Sequence, residues 1–430
     1  MSIDFQVVGI ESMGEWDFIG SDNNEYTHCF HRYPATMIPH LARKLISRYG
    51  GPGMSLLDPY CGTGTSLVEA RLAGMKSFGF DLNHTARKIS IVKTNTYDIT
   101  KLDNFIKKIT NEIFDLELME LTESLTPDGF SLETIRSWYP DQTIKEILTI
   151  IEYLKKFSSN EKINDFALIT LSDCLRDVSY QRNNEFKLYR IPLEERALFY
   201  VDIKPLYVKK LIRNFNGVVN NQKKLSNKEF LTNTNSKISS KNSVIIKDLK
   251  YFQKVDLVVT SPPYGDSIST VAYAQFSWLT NMWFGFDQRT SNALDRDLMG
   301  GIVSDKIYLT GCDIIDEAIS KIAQIDSKRA REIYSFYRDY KLSIKHIAQK
   351  IKPLGYSCYV VGNRTVRGEY LRTDIFTKEL FEKYDFEYIG TEIRSLTNTR
   401  MPGKISPSGK KGITAPTMKN EYIVICRKLA

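Results

Sequence analysis

The chain has 430 residues, 42% of them hydrophobic and 12% aromatic, which excludes a disordered chain and implies two or three lobes with a large core. Its formal net charge is +8, and residues 201–250 alone hold eleven Lys/Arg against three acids, leaving the remainder close to neutral. None of the six cysteines sits in a CxxC pair, and no segment has the length or flanks of a membrane span or secretion signal, so the expectation is a cytoplasmic protein without disulfide framework or metal.

The first periodic segment is 36–50, where Ile38, Leu41, Leu45 and Ile46 recur at helical spacing before Gly50-Gly51-Pro52-Gly53 stops them. Met54–Asp58 is a short apolar run ending in an acid, as a buried parallel strand would be. Helical spacing returns from Thr65 to Gly74, and Ser77–Asp81 is a second such strand. Strand, glycine turn, helix, strand make one βαβ unit.

Residues 100–175 are mostly helical by pattern, and 215–243, rich in Asn, Lys and Ser, suggest a loop or linker. Strands are expected at Val244–Ile246 and Val255–Thr260, a long helix over 326–351, then strands at Ser357–Val361, Phe386–Glu392 and Tyr422–Cys426. The fold class is therefore α/β: an open, doubly wound, mostly parallel sheet split by a large helical insertion. The expected parts are 1–95, an insertion over 96–243 and a second sheet part over 244–430, with 286–325 a candidate recognition insert.

Two motifs carry chemistry. The first is Asp58-Pro59-Tyr60-Cys61-Gly62-Thr63-Gly64-Thr65, with Asp81 closing the next strand. Glycines after a first strand let backbone approach a ligand, and an acid about 20 residues on suits ribose hydroxyls. The third glycine of GxGxxG is missing, which disfavours a dinucleotide. The second motif is Thr260-Ser261-Pro262-Pro263-Tyr264-Gly265-Asp266, directly after an apolar strand. Its prolines cannot continue a ladder. A rigid acceptor beside an aromatic face suits a flat base with an amino group; a proline-stiffened loop with a core tyrosine is the plainer alternative. The basic stretch suits phosphates, and equally a solvated linker.

Together these motifs resemble the amino-group DNA methyltransferases, which make N4-methylcytosine or N6-methyladenine. That family carries a DPFCGTGT loop, with Tyr60 here in place of Phe, and a (D/N/S)PP(Y/F) tetrapeptide, here Ser261-Pro262-Pro263-Tyr264. His31-Arg32-Tyr33-Pro34-Ala35 looks like the segment that precedes the loop and packs over the methionine end of the cofactor. The order of the three motifs is one of the family's circular arrangements. The resemblance is specific at 28–83 and 244–280, weaker at 355–426, and does not reach the insertion.

The resemblance implies a Rossmann-like methyltransferase domain using S-adenosyl-L-methionine on double-stranded DNA, with a restriction endonuclease as cognate partner in a prokaryote. It implies that Asp58 and Cys61, Gly62, Thr63, Gly64 and Thr65 hold the methionine moiety, Asp81 the ribose and Asp248 the cofactor's adenine. Ser261 and the Pro262 carbonyl would polarise the target amine, with Tyr264 stacked on a flipped base. Transfer would be direct, with no covalent adduct. Ser at the head of the tetrapeptide is associated with cytosine N4, Asp or Asn mainly with adenine N6.

Competing expectations are an adenine-N6 enzyme, an RNA guanine-N2 methyltransferase, and a nucleic-acid-binding protein on a decayed fold. The RNA enzymes usually carry an RNA-binding domain ahead of the catalytic one, and only about 30 residues precede His31. A 5-methylcytosine enzyme needs a Pro-Cys nucleophile where this chain has Pro262-Pro263-Tyr264.

Overall fold

The computed structural model describes residues 14–127, 129–182, 187–226, 234–266, 270–284, 294–396, 404–405, 415–416 and 418–430. Helix α1 (Pro39–Tyr49) leads into strand β1 (Ser55–Asp58), helix α2 (Thr65–Leu72), strand β2 (Lys76–Phe80) and helix α3 (His84–Thr94). All four residues of β1 are buried. Its apolar pair divides by strand alternation. Leu56, with Leu257 and Val259, faces Leu41, Leu45 and Leu67 of α1 and α2. Leu57, with Val258, belongs to the core on the opposite face.

The insertion comprises α4 (Ile99–Glu112), α5 (Leu132–Arg136), α6 (Asp141–Leu154), α7 (Glu161–Leu175), α8 (Leu193–Arg196) and α9 (Ile203–Ser226). It builds its own core around residues such as Ile147, Phe166 and Tyr207. Beyond it lie β3 (Ser236–Ser239), α10 (Ile246–Leu249), β4 (Val255–Thr260), α11 (Tyr273–Trp283), α12 (Asp313–Ile325) and α13 (Ser327–Ala348). The chain then runs through β5 (Ile351–Gly362), a hairpin of β6 (Arg364–Val366) and β7 (Glu369–Leu371), α14 (Thr373–Lys383) and β8 (Phe386–Ser395). A short pair, β9 (Lys404–Ile405) and β10 (Ala415–Pro416), precedes the last strand β11 (Asn420–Lys428).

The main sheet has seven strands in the order β3-β2-β1-β4-β5-β11-β8. The pairs from β3 to β5 are parallel, and β11 is antiparallel to both its neighbours. The doubly wound, mostly parallel α/β fold with a helical insertion is therefore as expected.

Two local expectations fail. Val244–Ile246 is not a strand. The third strand is Ser236–Ser239, and Ile246 opens the single turn α10. As an edge strand with β2 its only neighbour among the described residues, β3 is partly exposed and needs no apolar run. The chain thus rejoins the sheet at Ser236. Nor is 215–226 a loop, because α9 continues through it. Tyr207, Leu211, Asn214, Val218 and Asn221 are all buried at helical spacing. Residues 286–293, the first part of the candidate recognition insert, lie outside the described residues.

Candidate active site

The strand order reverses between β1 and β4. In open α/β sheets, ligands sit at such a switch point, outside the carboxyl ends of the strands. A cleft of about 940 Å3, open to solvent, lies there. Tyr33 and Pro34 form one wall; Asp58, Tyr60, Cys61, Gly62, Thr63 and Thr65 form its base. Asp81 lines it from the end of β2, and Ser261 and Pro263 from the end of β4. The three motifs therefore meet in one place.

Each loop residue has a distinct job. The Asp58 carboxylate is committed within the chain: Oδ1 accepts from the Tyr60 N–H at 3.1 Å and from Thr260 Oγ1 at 2.6 Å, and Oδ2 from Ser66 Oγ. Burial pushes this carboxyl up to about 6 against those hydrogen bonds. Tyr60 Oη is bonded to Ser343 of α13 and to Ser243, which locks the loop to the far wall. Burial also holds the Cys61 thiol well above its ordinary range, so it stays protonated. Gly64 adopts φ +79°, and a Cβ there would lie 2.3 Å from Ser90 Oγ; only glycine fits.

Asp81 accepts the Gly62 N–H on Oδ2 at 2.9 Å and the Asn83 N–H on Oδ1 at 2.7 Å. Burial raises its carboxyl to about 6 as well. Each oxygen keeps a lone pair for a ligand hydroxyl.

Four expected residues lie elsewhere, Gly64 among them, since it turns toward Ser90. Asp248 does not line the cleft: its Oδ2 accepts the Asn242 N–H at 2.7 Å, closing a turn. Lys241 to Val244 form that wall instead, because β3 ends earlier than expected. Pro262 is buried and does not line the cleft. Tyr264 does not face this cleft; its ring packs against Gly362 of β5, and its hydroxyl is bonded to Ser261 and Glu421. The end of the motif is anchored by Asp266, paired with Arg329 at 3.0 Å and Arg364 at 3.5 Å.

Sequence reasoning missed Asn83 and Tyr273. Asn83 caps α3 and donates to both Tyr33 Oη and Ser277 Oγ at 2.7 Å. An Asn opening a helix two residues after a strand-end acid was a readable capping signal. Tyr273 lines the cleft and stacks on Tyr33 with centroids 6.0 Å apart. The basic stretch is partly consumed inside the protein, since Lys210 and Arg213 of α9 pair with Asp173 of α7 at 2.8 and 3.2 Å.

A family model described as RMKL-like, methyltransferase domain, matches residues 25–121. The Type II methyltransferase M.MvaI of Kocuria varians is 33% identical over 428 residues, covering 95% of this chain and 93% of that one. The chain belongs to the amino-group DNA methyltransferases. A tRNA (guanine(10)-N2)-dimethyltransferase of Methanothermobacter thermautotrophicus is 33% identical over 106 residues, 24% of this chain and 30% of its own. The solved rRNA methyltransferase aviRa from Streptomyces viridochromogenes matches 93% of this chain and 88% of its own at 9% identity, with a TM-score of 0.32, too low to compare residues.

The methyl donor of this methyltransferase is S-adenosylmethionine. The cleft fits it on two counts. A Cβ at Gly62 would meet no protein atom within 4 Å, so the loop's backbone borders open space. Beside it, the Asp81 carboxylate retains acceptors for a ribose diol.

Proposed function

We propose that the protein methylates the N4 amine of cytosine in double-stranded DNA, as the modification half of a restriction–modification pair. The observation that carries this reading is Ser261, at the head of the tetrapeptide and in the wall of the cleft. Serine at that position goes with cytosine in the family the chain resembles.

In this reading Asp81 takes the ribose hydroxyls. The turn Cys61–Thr65, with Tyr33 and Pro34 above it, takes the methionine end. Asn242 and Val244 border the adenine, in place of Asp248. The bound cofactor supplies an activated methyl group. Ser261 Oγ accepts a hydrogen of the target amine. Such an amine is a poor nucleophile because its lone pair is shared with the ring. An acceptor placed out of the ring plane would help to localise that pair on nitrogen. Extruding the base costs a few kcal/mol, and Tyr264, held by Ser261 and Glu421, fixes the tetrapeptide that receives it. Rate then comes from positioning and electrostatics. The exposed Lys209, Lys223 and Lys224 of α9 are available to phosphates.

Mass spectrometry of nucleosides from DNA modified by the protein tests the reading. N4-methylcytosine is expected; N6-methyladenine in its place overturns the choice of base. Tritiated methyl transfer to DNA and to RNA, assayed side by side, tests the polymer. Label in RNA alone would overturn DNA as substrate.

A further inference from the structure

The tetrapeptide is wired to the last strand of the sheet. Ser261 Oγ donates to Tyr264 Oη at 3.1 Å, and Tyr264 Oη donates to Glu421 Oε1 at 2.8 Å. Arg394 Nη1 donates to the other oxygen of Glu421. These partners form one row across three strands: Glu421 of β11 stands opposite Arg394 of β8 on one side and Gly362 of β5 on the other. Gly362 supplies the room for the tyrosine, since a Cβ there would lie 2.7 Å from the Tyr264 ring. The pair at the end of the row is shielded, with side chains 12% and 14% exposed.

The direction of this chain is forced. An ionised carboxylate only accepts hydrogen bonds. The single O–H of Tyr264 therefore points at Glu421, and its oxygen turns lone pairs toward Ser261. The single O–H of Ser261 then points at Tyr264. With its proton committed, Ser261 Oγ offers only lone pairs to the cleft. A serine free to rotate could instead aim its proton at the target nitrogen and compete for the very pair that must attack. A string of such bonds also polarises its members.

We propose that Glu421, fixed by Arg394, is a positioning residue for methyl transfer: acting through Tyr264, it makes Ser261 an obligate acceptor for the target amine. The inference rests on the reading of Ser261 as the group that faces the amine. No proton is transferred along the chain, which only sets orientation.

Glu421→Gln tests it with little disturbance of shape. Arg394 donates, so it holds the amide oxygen and turns the amide NH2 toward Tyr264. The tyrosine then accepts, its O–H swings to Ser261, and the serine proton is released to the cleft. We expect kcat to fall roughly tenfold or more, with the KM for DNA and the Kd for cofactor little changed. Tyr264→Phe cuts the same chain, so adding Glu421→Gln to it should lower kcat no further. A wild-type kcat in Glu421→Gln, or an equal loss in both backgrounds, overturns the proposal. The bond direction is also readable without turnover, from the 13Cζ resonance of Tyr264, assigned by its loss in Tyr264→Phe. Donation to a carboxylate shifts that signal toward tyrosinate, and Glu421→Gln should reverse the shift; an unmoved signal overturns the proposal on any substrate. If the wild-type product is N6-methyladenine, the cytosine reading fails while the same variants test the relay on adenine.

Discussion

Thr260 Oγ1 donates a 2.6 Å hydrogen bond to Asp58 Oδ1, joining the last residue of β4 to the last residue of β1 across the switch point. The residue that precedes the tetrapeptide is thereby tied to the residue that opens the glycine loop of the cleft. Both are buried, at 0% and 4% exposure, so water cannot replace the bond. Thr260→Val keeps the shape and removes the donor. Urea unfolding should show a loss of about 1–3 kcal/mol. Cofactor affinity and kcat should fall together, because both halves of the site share this joint. A stability loss with full affinity and kcat would reduce the bond to a folding role.

The same carboxylate gives a pH signature. Burial raises Asp58 to about 6, whereas an unfolded aspartate titrates near 4. Between those values the folded protein holds a proton that the unfolded chain has released. Its contribution to stability is complete below pH ~4 and is lost as pH rises through ~6. Asp58→Asn removes this term and leaves the Tyr60 and Thr260 contacts an acceptor. Stability of the ligand-free variant relative to wild type should therefore climb from pH ~4 to ~6 and level off above. Buried His28, lowered to about 4, runs the opposite way but is common to both proteins and cancels in the difference. A flat difference across that range would remove the assignment to Asp58.

What could be read from the sequence follows from burial. Strands β1 and β4 lie between parallel neighbours, so their residues had to be apolar and their ends were marked by Asp58 and Thr260. Strand β3, on the edge, was under no such demand, and its Ser-Lys-Ile-Ser reads like loop. The second half of helix α9 reads like loop for another reason: its buried face carries Gly217 and Asn221 beside Val218. The cleft's first partners were local in sequence and legible. Glu421 stands 157 residues from Tyr264, and no spacing rule connects them.

Asp81→Ala tests the ribose assignment. The variant loses the acceptor for the Gly62 and Asn83 amides as well as the one offered to the ligand. Calorimetry without DNA should show cofactor affinity weaker by roughly tenfold or more, the value of a charged hydrogen bond. The fold should survive, since a carboxyl raised to about 6 by burial is itself costly at neutral pH. Undiminished affinity would take the ribose away from Asp81.

Asp173 links the insertion to the Tyr33–Pro34 wall of the cleft. Its side chain is 1% exposed and accepts the Arg32 N–H at 3.1 Å, one residue before Tyr33. Burial alone would raise its carboxyl, but His31, Lys210 and Arg213 outweigh burial and hold it well below the usual range. Asp173→Ala removes the buried partner of the Lys210 ammonium and leaves it Asp177 and the main-chain carbonyl of residue 173. The expected cost is about 3–5 kcal/mol, the penalty for breaking a buried pair from one side. Adding Lys210→Met removes the ammonium and should recover part of that loss. It cannot restore the acceptor for Arg32, so cofactor affinity should stay low in the double variant. That split between stability and affinity is the signature of a helical insertion that holds the Tyr33–Pro34 wall in place. Full affinity in the double variant would mean that the wall stands without the insertion's help.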